Sequence, residues 1–192
     1  KDELFLSKSG LISIAGGKLT GYRKMAERIV DLVAKKYLRR FTEEFKKTQT
    51  ESILLSGGKF EDFNEVKSYI NLIYKRIIKD NFDEKDAQYL VYNYGRQTDV
   101  ILKKYDELKT GTSLEKMIKA EVWFTIYYEM TCSPADFFIR RTGRAYFNIE
   151  SVYKNLSLVL IEFAMHLSWK KEVLKRKKEE LNKALELITS FN

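Results

Sequence analysis

Gly16-Gly17-Lys18-Leu19-Thr20 is the segment whose residue types and order could do chemistry. It lies between a short apolar run, Leu11-Ile12-Ser13-Ile14-Ala15, and a stretch of helical spacing that begins at Tyr22. Two adjacent glycines let a backbone approach a ligand closely, and a helix starting there offers free N–H groups and a partial positive charge. Lys18 adds a full charge. Such a corner suits an anion, a phosphate or an electron-rich ring oxygen. The first glycine of the G-x-x-x-x-G-K-[ST] phosphate loop is absent, so this is not that loop. The plain alternative is an ordinary Gly-Gly turn.

Glu121, Glu129, Arg140, Arg141 and Arg144 form a second set. Three arginines this close in sequence could hold a phosphate. The other reading, and the one expected, is that a glutamate pairs with an arginine across two packed helices. Val122, Trp123, Phe124 and Ile126 surround the glutamates, so a carboxylate turned inward needs a partner. Gly57-Gly58-Lys59 echoes the first motif but follows Ile53-Leu54-Leu55-Ser56, and reads as a turn. His166, the single histidine, stands between Met165 and Leu167 and reads as a packed or surface side chain with no carboxylate pattern around it. Cys132, the single cysteine, precedes Ser133-Pro134; a helix N-terminus there would lower its pKa, but nothing else supports reactivity. One Cys and one His exclude the usual His/Cys metal cluster, and a lone Cys makes no intrachain disulfide, which fits a reducing compartment.

The elements that must position these residues read mostly as helices. The chain has 192 residues, 44% hydrophobic and 32% charged, with one proline and nine glycines. That composition is globular, and so few breakers favour an all-α fold. Leu11–Ala15 is the exception and reads as a buried strand. A lone strand cannot satisfy its own backbone, and nothing later in the chain pairs well with it, so it is expected to belong to a sheet outside this sequence. Tyr22, Met25, Ala26, Ile29, Val30, Val33 and Tyr37 mark one face of a helix. Further on, Phe63, Val66, Ile70, Ile73 and Ile77 form a stripe. Asp83 caps a helix that Tyr94-Gly95 stops, Thr98–Leu108 is a short helix, and Ser113 caps a longer one through Met130. Ser133-Pro134 starts a helix over 135–142, which Gly143 ends or bends. Helices over 149–169 and 173–191 complete the reading. The net charge of +8 has seven of its Lys/Arg between Lys170 and Lys183, a solvated face or a contact for an anionic membrane surface.

The run from Ser9 to Glu27, with Gly-Gly-Lys-Leu-Thr-Gly-Tyr-Arg-Lys at its centre, resembles the end of the flavin domain in FAD-dependent glycerol-3-phosphate dehydrogenases and the related α-glycerophosphate oxidases. Tyr94-Gly95, Glu121-Val122, Tyr128-Glu129-Met130, Ala135-Asp136-Phe137 and Arg140-Arg141-Thr142-Gly143-Arg144 resemble the family's C-terminal helical domain. The resemblance implies oxidation of sn-glycerol 3-phosphate to dihydroxyacetone phosphate, with hydride passing to FAD and electrons then to a quinone or to oxygen. It places Gly16, Gly17, Lys18, Leu19 and Thr20 beside the flavin, with Lys18 also a catalytic candidate. Gly21 departs from the Thr or Ser of some members, and nothing catalytic is read into it.

The dinucleotide fingerprint G-x-G-x-x-G is absent. The expectation is therefore a tail of the flavin domain over 1–20, a connecting helix over 21–47, a linker over 48–59 and a helical domain over 60–192. FAD and glycerol 3-phosphate would be held mainly by the missing flavin domain, and the chain alone would be inactive. The implied location is cytoplasmic, with the inner membrane face as an optional peripheral contact. No nucleic acid is expected. A helical module that binds protein or nucleic acid through a basic surface is the rival from another class.

Overall fold

A computed structural model describes residues 3–37 and 45–190. It divides into two compact units, Lys1–Leu54 and Leu55–Asn192. In the first unit the apolar run is a strand, β2 (Ile12–Ala15), but it is not alone. It pairs antiparallel with β1 (Glu3–Leu6) in the register Glu3↔Ala15, Leu4↔Ile14, Phe5↔Ser13 and Leu6↔Ile12. The partner comes from upstream, and Gly10 at φ 89° turns the chain between the two strands. The expectation of a buried, unpaired strand is thus corrected: the partner residues precede the apolar run, and Ile12 and Ile14 are half-buried rather than enclosed.

Leu19–Gly21 form one 3-10 turn that runs into α1 (Tyr22–Tyr37). Tyr22 and Val30, expected on its apolar face, stay 66% and 64% exposed. A helix was expected as far as residue 47; residues 38–44 lie outside the described residues, and 45–47 are not helical.

The second unit holds the core. Its helices are α2 (Phe63–Ile77), α3 (Glu84–Tyr94), α4 (Thr98–Glu107), α5 (Ser113–Glu129), α6 (Pro134–Asp136), α7 (Arg144–Phe147), α8 (Ile149–His166) and α9 (Lys171–Thr189). Local signals set their starts. Asp83 accepts the Asp86 N–H at 3.0 Å while Asp86 accepts the Asp83 N–H at 2.9 Å. Thr112, not Ser113, caps α5, because Glu115 stands three residues after Thr112 and returns the bond at 2.8 Å. Each such cap stabilises its helix by about 1 kcal/mol. The expected helix over 135–142 is a single α-turn followed by a π-helical stretch, Phe137–Arg141, and Gly143 ends it at φ 64°. The last two helices stop at His166 and begin at Lys171, each within three residues of expectation.

Central α5 is apolar on two sides because it feeds two cores. Met117, Ala120 and Phe124 pack with Ile73, Leu90, Ile101 and Leu102. Ile118, Val122 and Ile126 pack with Phe137, Phe138, Phe163 and Leu181. Burying each large side chain contributes roughly 1.5–3 kcal/mol.

Gly57-Gly58 is a turn, as expected, and it clamps the end of α3. The Arg96 N–H donates to the Gly57 carbonyl at 3.0 Å, and Gly95 sits at φ 54°, ψ −135°. A Cβ on Gly95 would lie 2.0 Å from the Gly57 oxygen. Gly95→Ala is therefore expected to lower stability by about 3 kcal/mol or more, through the disfavoured backbone and the clash together. Gly21, with no atom within 4 Å of its would-be Cβ, is the contrasting site, and Gly21→Ala should cause no loss. Urea unfolding midpoints of the two variants decide the matter; equal midpoints would show that the Gly57–Gly95 contact is not tight.

Candidate functional site

The corner expected from sequence is present in the first unit. Gly16 and Gly17 follow β2, and Lys18 precedes the 3-10 turn with extended backbone, φ −88° and ψ 142°. Neither glycine is in the left-handed region, so their value there is the missing side chain and not an unusual φ. Gly16, Gly17, Lys18 and Thr20 are exposed, and Leu19 is 90% exposed. The Lys18 carbonyl accepts the Gly21 N–H at 2.9 Å, and its ammonium makes no ion pair or hydrogen bond among the described residues. The corner thus offers one free ammonium and open backbone, which fits one edge of an anionic or electron-rich ligand.

The structure brings together the second set of charges at the centre of the helical unit. Glu121, on α5, is fully buried, and its Oε2 accepts from Arg144 Nη2 at 2.7 Å. Its Oε1 accepts from the hydroxyls of Tyr89 and Tyr94, each at 2.9 Å. Arg144, 9% exposed, also stacks its guanidinium 5.0 Å from the Tyr89 ring centre. Burial is the largest influence on the Arg144 pKa and pulls it down, but the Glu121 charge and hydrogen bond together with Tyr89 and Tyr94 raise it, and the net shift is upward. Burial, followed by the Glu121 charge, raises both tyrosine hydroxyls well above their ordinary value.

The expected pairing is therefore found, and twice. Arg141 Nε lies 3.7 Å from Glu129 Oε2, and its Nη2 donates to the Glu129 carbonyl at 3.0 Å. Arg140 pairs instead with Asp136 one turn before it. The two tyrosines are partners that the sequence pattern did not signal, although Tyr94 belongs to the Tyr94-Gly95 helix end.

His166, expected as a packed or surface side chain with no carboxylate pattern around it in sequence, does have a carboxylate one turn before it. Glu162, one turn earlier on α8, is buried and sits 3.7 Å from His166 Nε2 and 3.5 Å from Lys119 Nζ. Burial lowers the His166 pKa, opposed by Glu162 and supported by Lys104. Cys132 is exposed, with its Sγ 3.4 Å from the Met130 carbonyl. Among the described residues no group of three His, Cys, Asp or Glu could hold a metal ion. Among the described residues no helix is long and apolar enough to cross a membrane.

A family model described as the C-terminal domain of alpha-glycerophosphate oxidase matches residues 48–174, well over half of the chain. The chain belongs to that family. Among its relatives, the aerobic glycerol-3-phosphate dehydrogenase of Bacillus subtilis is 38% identical over 188 residues, which is 96% of this chain and 34% of that protein. The enzyme of the same description from Staphylococcus saprophyticus is 39% identical over 157 residues, 79% of this chain and 28% of its own. The X-ray structure of a Bacillus halodurans glycerol-3-phosphate dehydrogenase complexed with FAD superposes with a TM-score of 0.81 at 37% identity, covering 96% of this chain and 37% of that one. The chain thus spans about a third of the length of the relatives it matches.

The buried network generates two expectations. Arg144→Met should cost about 3–5 kcal/mol, because it strands the Glu121 carboxylate, and adding Glu121→Gln should restore part of the loss. Urea unfolding of the single and double variants tests this; additive losses would mean the two groups do not couple. The second concerns pH. Tyrosine hydroxyls with raised folded pKa values keep protons that the unfolded chain releases from about pH 10 upward. Their contribution is full below about pH 10 and falls as pH rises, by up to about 1.4 kcal/mol per pH unit for each tyrosine. Tyr89→Phe should therefore flatten the alkaline side of the stability profile, and an unchanged slope would remove Tyr89 from the network.

Proposed function

We propose that this chain is the C-terminal part of an FAD-dependent enzyme that oxidises sn-glycerol 3-phosphate to dihydroxyacetone phosphate. The similarity over 96% of the chain to a protein described as an aerobic glycerol-3-phosphate dehydrogenase carries this reading. In the proposed partition, residues 1–20 end the flavin domain, 21–47 connect, 48–59 link, and 60–192 form the helical domain. Electrons go on to a quinone or to oxygen.

When bound, FAD supplies the hydride acceptor. The chain's own residues act at its edge. Gly16 and Gly17 let backbone approach the ring, and Leu19 and Thr20 shape the rim. Lys18, unpaired and at the head of a helix, places positive charge where the ring gains negative charge. It also lies within reach of a substrate phosphate in this reading. The chain alone is expected neither to hold FAD tightly nor to turn over glycerol 3-phosphate, because the phosphate cradle of the cofactor would come from residues outside it.

A cytoplasmic location follows from the same reading, with a peripheral contact to an anionic membrane face as a second element. The support is α9, where Lys171, Lys175, Arg176, Lys178 and Lys183 are all exposed while Leu181 and Leu185 are buried. Such a face is attracted to anionic headgroups without any spanning helix.

Lys18→Met in the full-length protein tests the site. The rate of flavin reduction by glycerol 3-phosphate should fall about a hundredfold or more with flavin content unchanged, the scale for removing one preorganised stabiliser of developing charge. A rise in KM alone would reduce Lys18 to a phosphate contact, and no change in either constant would take it out of the site.

A further inference from the structure

A groove of about 770 Å³ crosses the helical unit above the buried pair. That is within the range of small-molecule sites, roughly 300–1,000 Å³. Nothing in the flavin reading uses it. Lys85, Arg140, Arg141 and Arg144 line it, against a single carboxylate, Asp86. Asp86 is occupied, because its Oδ2 accepts the Asp83 N–H within the capping box. Lys85 is exposed and has no ion pair among the described residues. Arg140 holds only an exposed one-turn pair, and Arg141 is 3.7 Å from its carboxylate. Pairs of this kind are worth well under 1 kcal/mol, so the Arg140 guanidinium can turn to a better acceptor; Arg141 keeps its Nη2 bond to the Glu129 carbonyl at 3.0 Å and has its Nη1 left for a ligand. Beneath them Arg144 is fixed by Glu121 through Nη2, while its Nη1 is buried without an acceptor.

Two further features narrow the ligand. The first turn of α8, an eighteen-residue helix, opens on the groove through Asn148 and Ser151, which adds the positive end of a helix to the cations. The rim carries Tyr92 from α3 and Tyr146 from α7, exposed by 60% and 61%. Guanidinium forks match phosphate oxygens, and open aromatic faces match a planar ring.

We infer that this groove binds a small phosphomonoester that carries a planar ring, of the nucleoside monophosphate kind. Its phosphate lies between Lys85, Arg141 and the first turn of α8, and its ring stacks on Tyr92 or Tyr146. None of the residues lining it belongs to the Gly16–Thr20 corner, and its test does not depend on turnover.

The experiment is calorimetric titration of the full-length, FAD-loaded protein with adenosine 5′-monophosphate, and separately with adenosine and with inorganic phosphate. The expected result is saturable binding of the nucleotide, tighter than of either part alone. Lys85→Ala and Arg141→Ala should each weaken it about tenfold, the scale of one charged hydrogen bond. Tyr146→Ala should weaken the nucleotide about fivefold or more while leaving inorganic phosphate unchanged. All three side chains are exposed, so the fold should survive, and an unchanged circular dichroism melt confirms it. Absence of saturable binding at millimolar nucleotide overturns the proposal. Binding that none of the three variants alters overturns it too, since the nucleotide would then sit elsewhere.

Discussion

A single carboxylate, buried at the middle of α5, constrains the helical unit more than any apolar contact. Glu121 accepts from three donors fixed in direction: two tyrosine hydroxyls on one oxygen and a guanidinium nitrogen on the other. A buried charge without such partners costs several kcal/mol, so the network must form whole or not at all. Its members come from three elements. Tyr89 and Tyr94 fix the rotation of α3 against α5, and Arg144 fixes α7. Hydrophobic burial would tolerate small rotations of these helices; the hydrogen-bond directions do not.

That constraint explains why α5 can serve two cores at once. Residues 117, 120 and 124 face one cluster and 118, 122 and 126 the other, with Glu121 between them. An evenly apolar helix has no preferred rotation, and the polar residue supplies one. The Gly57–Gly95 contact acts at the neighbouring end of α3. It brings two backbones so close that only glycine fits at Gly95, and Arg96 then reaches back to the Lys59 carbonyl and lies 4.5 Å over the Phe60 ring. The approach of the chain into α2 and the exit of α3 are thereby tied at the same point.

What could be read from sequence was what local chemistry decides. Asp83 as a cap, Tyr94-Gly95 as a stop and Ser133-Pro134 as a start depend on residues within one turn, and each is observed. The cap of α5 was misplaced by one residue because Thr112 and Ser113 both carry a hydroxyl, and only the position of Glu115 separates them. The π-helical stretch left no trace, since its Thr142-to-Phe137 bond repeats every five residues and has no hydrophobic period of its own. Strand β1 escaped because its four residues precede the one apolar run that signalled a strand. Glu162 beside His166 had the right one-turn spacing but was hidden among Leu160, Ile161 and Phe163, where a carboxylate reads as a solvent-facing interruption. The tyrosine partners of Glu121 lie 32 and 27 residues away, and no periodicity carries that information. The Gly-Gly-Lys corner is the opposite case: its residue types are legible, but its proposed role rests on resemblance, because the corner stands exposed and its own contacts name no ligand.

Burial sorts the three clustered arginines into different kinds of residue. Arg140, 68% exposed on its side chain, pairs with Asp136 for a few tenths of a kcal/mol, and salt would screen it. Arg141 is less exposed, at 42%, and its firmest bond is to a backbone carbonyl rather than to a carboxylate. Arg144, at 10%, cannot leave Glu121 without stranding a charge. The same residue type within five positions therefore ranges from replaceable to obligatory. Only the obligatory one is architectural. The others keep their charge at the surface, next to a groove, at almost no cost in stability, which is the condition under which a cation remains available to a ligand.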